Sequence, residues 1–278
     1  MSQLIQLKQR IKAIEVIKKI THAMRLISMS SRLKMIKLSE NLHFFRDEIT
    51  PLLCSLESAH SKADQNQSIQ KNLIILIASE KGLCGNFNSI ILHHFENYLK
   101  KIDLENYDFI TVGKHAGDYL AKKDISIVAR HDKLSPHHLD KTANSLYEFL
   151  MKHKNEYATV TCLYNKSKSF FIQQPCEFQL LPVQPQTSCN VQKNIDVEDY
   201  HWIQKPEDVI VCIFQSFIKL NVLAILSESI ISEQSSRFLS MDSSTRNAEN
   251  LLKKMNLEYN KIRQTKITKE LTELISSF

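Results

Sequence analysis

The sequence is short of the two residues that most often interrupt helices. Only four of its 278 residues are glycine and six are proline, and all ten lie between Pro51 and Pro206. Both are unfavourable inside helices, so residues 1–50 and 207–278 are free to run as long uninterrupted helices. The 72 residues of the second segment would span roughly 108 Å at 1.5 Å per residue. That length excludes an ordinary compact helical domain. Cysteine is sparse too: Cys54, Cys84, Cys162, Cys176, Cys189 and Cys212 form no C-x-x-C pair and no Cys/His ligand spacing. A disulfide scaffold and a zinc site are thereby disfavoured, and reduced thiols are the simpler reading. The N-terminus lacks the apolar core of a secretory leader. Residues 209–226 are the most apolar run, but Gln215, Ser216, Lys219 and Asn221 interrupt it, which argues against a membrane span.

What is present is periodicity. Ile213, Phe217, Leu220, Ala224, Ser227, Ile231, Gln234, Phe238, Met241, Thr245, Ala248, Leu252, Met255, Tyr259 and Ile262 keep a 4,3 spacing, and twelve of the fifteen are apolar. A spacing of 3.5 sustained this far predicts a left-handed coiled coil rather than a helix lying on a globular core. Ile17, Ile20, Met24, Ile27, Ser31, Met35, Leu38, Leu42, Phe45 and Ile49 form a comparable stripe near the N-terminus. Pairing the two ends around an inserted domain makes the coil antiparallel. The C-terminal helix is the longer, so its end, with Ile262, Ile267, Leu271, Leu274 and Ile275, is expected to protrude and to need a partner. Residues 1–50 carry ten Lys or Arg against four acidic residues, whereas residues 207–278 carry nine of each. The basic band at 8–37 is either a solvated helix face or a surface for acidic protein loops or nucleic acid.

The insert alternates short β-rich runs with helical patterns. Strands are expected at 73–78, 109–112, 125–128 and 158–163, and helices at 87–99 and 142–153, which suggests a small parallel sheet. The domain boundaries follow: an N-terminal helix over 1–60, an α/β domain over 72–184, a linker over 185–206 and a C-terminal helix over 207–278. Between the first strand and helix, Gly82 and Gly85 belong to a G-x-x-G turn. The G-K-[ST] ending of a phosphate-binding loop is missing, so a structural turn is expected rather than a nucleotide site. The adjacent His93-His94 and His137-His138 face different ways on a helix, and no catalytic constellation stands out.

Four segments then become specific. Lys19-Ile20-Thr21-His22-Ala23-Met24 resembles the K-I-T-K-A-M segment of ATP synthase gamma subunits, and Gly82-Leu83-Cys84-Gly85 with Asn88 resembles their G-L-C-G-x-x-N turn. Ser232-Glu233-Gln234 with Arg237, Met241, Thr245 and Asn247 is similar to their S-E-Q-x-A-R segment. Tyr259-Asn260-Lys261 with Arg263, Gln264, Thr268, Glu270 and Thr272 is similar to their C-terminal signature. These matches span the chain in order.

The resemblance implies a non-catalytic rotor without a cofactor. Its two helices form an antiparallel shaft inside a hexamer of alpha and beta subunits, above an α/β domain near the epsilon subunit and the c-subunit ring. Proton flow through the complex turns the shaft. The resemblance further implies coupling contacts at Met24, Glu233, Arg237, Arg263, Gln264, Thr268, Glu270 and Thr272, with Met24 beside Glu233, Gln234 and Arg237 on the opposite helix. The K-I-T-K-A-M-like segment begins close to Met1 and leaves no room for a mitochondrial presequence. A bacterial or organelle-encoded type is therefore expected, peripheral on the cytoplasmic face of the bacterial inner membrane. Two other classes are weighed beside it: a nucleic-acid-binding coiled coil using the basic band, and a small nucleotide-using enzyme built on the insert. The neutral C-terminal helix and the incomplete phosphate loop argue against them. The family often has Lys at position 242 and Asp at 246; here Asp242 and Arg246 exchange those charges, and an i,i+4 ion pair is expected. His22, Met29, Ser31, Arg32 and Asn86 also depart from the common pattern.

Overall fold

The computed structural model describes residues 2–60, 71–154, 156–182 and 206–277. Helix α1 (Ser2–His60) opens the chain and α5 (Pro206–Ser276) closes it. Between them run β1 (Lys71–Ile77), α2 (Phe87–Leu99), β2 (Tyr107–Val112), α3 (Lys114–Lys122), β3 (Ala129–His131), α4 (Leu139–Lys152), β4 (Tyr157–Ser167) and β5 (Gln173–Leu181). All but Pro206 of the expected linker at 185–206 lies outside the described residues. The chain divides into two compact units, Met1–Ser30 with Arg237–Phe278, and Ser31–Ser236.

In the unit Ser31–Ser236 a five-stranded sheet has the order β3-β2-β1-β4-β5. Ile74 pairs with Phe109 and Leu73 with Val160 in parallel ladders. β1 is central and buried on both faces, which is why it reads as a continuous apolar run. Leu73, Ile75 and Ile77 join one core with α4 (Leu139, Ala143, Leu146, Leu150) and α5 (Phe217, Ile218, Val222, Ile225). Ile74 and Leu76 join the other with Ile91 and Phe95 of α2 and Ala116 and Leu120 of α3. The apolar run of α5 is thus spent inside the protein: residues 224–236 are buried all round, because the sheet core and α1 both pack against this segment.

Three expectations for the insert are corrected. Residues 125–128 form no strand; the third strand is Ala129–His131, pairing Ile110 with Ala129, while Ile125 and Ile127 pack on the core as irregular chain. β5 joins β4 antiparallel, opposing Tyr164 with Cys176, so the sheet is mixed. Both are edge strands of polar composition, and β5 contains Pro175, which edge positions tolerate. They therefore carry little hydrophobic signal. α3 is also additional; Gly117 breaks its helical pattern in the sequence.

The N-terminal stripe is corrected by one position. In Met1–Ser30 the residues turned inward are Leu7, Ile11, Ile14, Lys18, Thr21, Arg25 and Ser28; in Ser31–Ser236 they continue as Arg32, Met35, Ser39 and Leu42. Met35 and Leu42 belong to both readings, and the expected Met24, Ser31 and Ile49 are half-buried. Ile17, Ile20, Ile27 and Phe45, expected inside, are each more than half exposed. Here the seam is more polar than the outer face, and hydrophobic periodicity selects the wrong one. On α5 the expected positions Met241, Thr245, Ala248, Leu252 and Met255 are buried, and Tyr259 and Ile262 half-buried.

Burial raises the Cys162 thiol to about 12 and, with Asp108 beside it, the Tyr157 phenol to about 12. Both groups hold their protons more tightly when folded. Their contribution to stability is complete below the unfolded values near 9 and 10 and is lost as pH rises toward 12. Unfolding midpoints in urea are expected to fall steadily between pH 9 and 12. A flat profile across that window would contradict this burial.

Candidate functional site

In the unit Met1–Ser30 with Arg237–Phe278, α1 and α5 run antiparallel, since partners ascend on one helix as they descend on the other. Lys18 meets Glu249 at 2.9 Å. Thr245 donates its hydroxyl to Thr21 at 2.9 Å and also to the Met241 carbonyl; one proton serves one of these acceptors at a time. Arg25 donates to Asp242 at 2.6 Å, and Arg246 pairs with the other oxygen of the same carboxylate. The expected intrahelical pair therefore exists, and Arg25 adds an interhelical one. Hydrogen bonds from Arg25 and then Arg246 hold the Asp242 carboxyl below the usual range, and Lys18 does the same for Glu249. Beyond this polar segment Leu7 and Ile11 pack on Leu252 and Met255.

Met24 is half-buried between Thr21 and Arg25. Since those two residues meet Thr245 and Asp242, the register places Met24 opposite 242–245. Glu233 and Gln234, which are buried, belong to the other unit. Arg237 is half-buried. Arg263, Gln264, Thr268, Glu270 and Thr272 are exposed on the last turns of α5. There the Thr268 hydroxyl donates to the Gln264 carbonyl at 3.0 Å and Thr272 to that of Thr268 at 2.8 Å. Ile267, Leu271, Leu274 and Ile275 are 49% to 78% exposed on the same segment.

In the unit Ser31–Ser236 the glycine turn after β1 is a fastening point. Asn88 accepts from the Ser79 amide at 3.1 Å and donates to the Ser79 hydroxyl at 2.7 Å. Asn165 of β4 donates to the Phe87 carbonyl, and Ser236 of α5 donates to the Cys84 carbonyl at 2.6 Å. Gly85 has φ 59°, in the left-handed region that favours glycine. A side chain at Gly82 would meet only His115, at 3.8 Å, so the turn needs glycine at one of the two expected positions. Open α/β sheets bind ligands where the strand order reverses, here between β1 and β4. The Ser236 and Asn165 contacts engage the turn at that place.

Nearby, the buried Glu228 accepts from Tyr164 at 2.9 Å and lies 2.9 Å from His43 and 3.1 Å from Lys166. Arg32 donates to Ser235 at 2.8 Å with its guanidinium over the Phe170 ring. Sequence reading missed Arg25, Asn165 and Glu228 and gave no contact to Arg32 or Ser236, since each draws its meaning from a distant partner. Asn88 was legible as part of the turn signature. Among the described residues no three His, Cys, Asp or Glu side chains are grouped to hold a metal ion.

A helical pair, a mixed α/β sheet and a turn tied to the second helix are the features to be matched. The family model described as ATP synthase matches residues 3–278. The ATP synthase gamma chain of Clostridium perfringens (strain 13 / Type A) is 33% identical over 283 residues, covering 98% of this chain and 96% of its own. That of Rickettsia typhi is 29% identical over 288 residues, covering 99% and 98%. The chain belongs to the ATP synthase family and, within it, to the gamma chains. Among solved structures, a chain of the Euglena gracilis mitochondrial ATP synthase rotor is similar with TM-score 0.66 at 15% identity, covering 96% of this chain and 99% of that one. A chain of the Tetrahymena thermophila central stalk and c-ring is similar with TM-score 0.60 at 20% identity, covering 81% and 98%. At those identities the likeness concerns the fold.

Proposed function

We propose that this chain is the central shaft of a rotary ATP synthase. It transmits the turning of a membrane c-subunit ring to a hexamer of alpha and beta subunits, and it does no chemistry itself. The observation that carries this reading is the end of α5. From Ile267 onward it presents four large apolar side chains to solvent, and an uncovered apolar surface of that kind calls for a partner. The outward face of α1, with Val16, Ile17, Ile20 and Ile27, supports the same sleeve-like enclosure. Arg263, Gln264, Thr268, Glu270 and Thr272 are then placed to meet passing beta-subunit loops, where charge-assisted hydrogen bonds are the stronger kind. Met24, Glu233 and Arg237 are assigned to coupling on the resemblance alone. The buried positions recurring every 3.5 residues favour left-handed winding. The α/β sheet would stand beside the epsilon subunit and the c-ring, on the cytoplasmic face of a bacterial inner membrane.

Co-expression with alpha and beta subunits tests the reading. One copy of the full chain per alpha–beta hexamer is expected, with ATPase activity. Deleting residues 259–278 should weaken assembly or alter turnover. Failure of the full chain to join the hexamer would overturn the assignment.

A further inference from the structure

The shaft reading makes a demand on the helical pair that stability alone does not meet. Leu7, Ile11 and Ile14 near the N-terminus of α1 belong to the apolar cluster, where Tyr259 and Ile262 also pack. α5 then continues to Ser276, while α1 ends at Ser2. Torque entering at the free end of α5 reaches the N-terminal part of α1 directly through side chains that resist rolling and sliding of one helix on the other. Apolar contacts are non-directional and resist this poorly. Hydrogen bonds, the charge-assisted ones within ion pairs included, weaken steeply as they are bent or stretched and resist it well.

In Met1–Ser30 with Arg237–Phe278 one stretch carries directional contacts between the helices; in Ser31–Ser236 Arg32 with Ser235 and His43 with Glu228 join them separately. Over two turns of α1, Lys18, Thr21 and Arg25 replace the apolar residues that a coiled-coil seam normally carries. Each finds a partner on α5: Glu249 at 2.9 Å, Thr245 at 2.9 Å and Asp242 at 2.6 Å. The Arg25–Asp242 contact is the best shielded of the two ion pairs, with 26% and 15% of the side chains exposed, against 40% and 44% for Lys18–Glu249. Arg246 braces the far oxygen of Asp242, so the carboxylate is held from both sides. Ion networks of this kind add little net stability over an apolar pair, and their attested use is to specify register.

Resting on the shaft reading, we propose that Lys18, Thr21 and Arg25 with Asp242, Thr245 and Glu249 form the torsional lock of the helical pair, and that Arg25 and Asp242 are its principal positioning residues. The stretch transmits twist from α5 to α1. The apolar packing on its C-terminal side of α5 holds the helices together without fixing them against slip.

The test uses the assembled complex. Angular fluctuation of the shaft during a catalytic pause is recorded by single-molecule rotation, and its width reports torsional stiffness. Arg25→Leu with Asp242→Leu removes both charges together and leaves neither buried alone. The melting temperature of the full-length chain is expected to stay level or rise while the angular distribution broadens. Arg25→Glu with Asp242→Lys and Arg246→Glu rebuilds the network with inverted charge and should restore the narrow distribution. Thr21→Val with Thr245→Val should broaden it through an independent contact, and decides the matter if the leucine pair fails to assemble. An unchanged width in an assembled, rotating leucine or valine variant overturns the lock. A wild-type complex that never rotates instead overturns the shaft reading itself.

Discussion

Gly113→Ala is expected to destabilise the α/β unit by about 4 kcal/mol or more, combining a strained backbone with an overlap that cannot relax. Gly113 has φ 87° and sits where three strands end. Its amide donates to the His131 carbonyl at 2.7 Å, beside the Ala78 amide bonded to Val112 and the His115 amide bonded to Ser79. A Cβ there would stand 2.1 Å from the Ala78 carbonyl oxygen and 2.9 Å from that of Ser79. Both are backbone atoms of the central strand and its turn, so relief requires parting β1 from β2. Two neighbouring glycines are controls. At Gly117 the atoms nearest a Cβ belong to the Arg130 guanidinium, at 2.6 Å, and a flexible exposed side chain can swing away. At Gly82 the nearest atom is 3.8 Å off. Urea unfolding of the three alanine variants should show one severe loss and two changes within about 1 kcal/mol. A Gly113→Ala midpoint close to wild type would mean that the strand ends are not packed as described.

Glu228→Ala is expected to cost about 2–4 kcal/mol, chiefly through what it leaves behind. Tyr164 is 5% exposed and directs its hydroxyl to this carboxylate at 2.9 Å. A buried hydroxyl without a partner costs about 1–3 kcal/mol, and the space vacated beside it adds about 1 kcal/mol. Lys166 and His43 are 49% and 30% exposed and return to water cheaply, so their share is small. Glu228→Gln keeps an acceptor for Tyr164 and should lose roughly half as much. Tyr164→Phe in the Glu228→Ala background should recover part of the loss, because the orphaned hydroxyl goes with it. Equal losses for Ala and Gln would assign the effect to the charge instead. Since Glu228 ties α5 to β4, the alanine variant should also lower the yield of assembled complex.

Much of the plan was legible because it depends on local chemistry. The absence of glycine and proline marks the helical ends, and the continuous apolar run of β1 marks a strand covered on both faces. The helix over 87–99 matches α2 to the residue, since its apolar positions and the turn before it agree. β5 was not legible: its residues gain strand character from the ladder with β4, and an edge strand half exposed to water needs no apolar pattern. The candidate site divides in the same way. The C-terminal signature and the glycine turn are contiguous in sequence and could be recognised. Arg25 acquires its role from Asp242, 217 residues away, and nothing next to it in the chain announces that partner.

The sequence by itself determined that both ends are helices, that an α/β sheet lies between them, and which family they belong to. These follow from backbone propensity, from periodicity and from short motifs. The tertiary structure decided which face of α1 is the seam. Periodicity ranks faces by how apolar they are, and by that measure Ile17, Ile20 and Ile27 belong inside. They lie outside because Lys18, Thr21 and Arg25 each find a hydrogen-bonding or charged partner on α5, which offsets the cost of burying them. The same pairing leaves an apolar outer face on α1, available to other subunits.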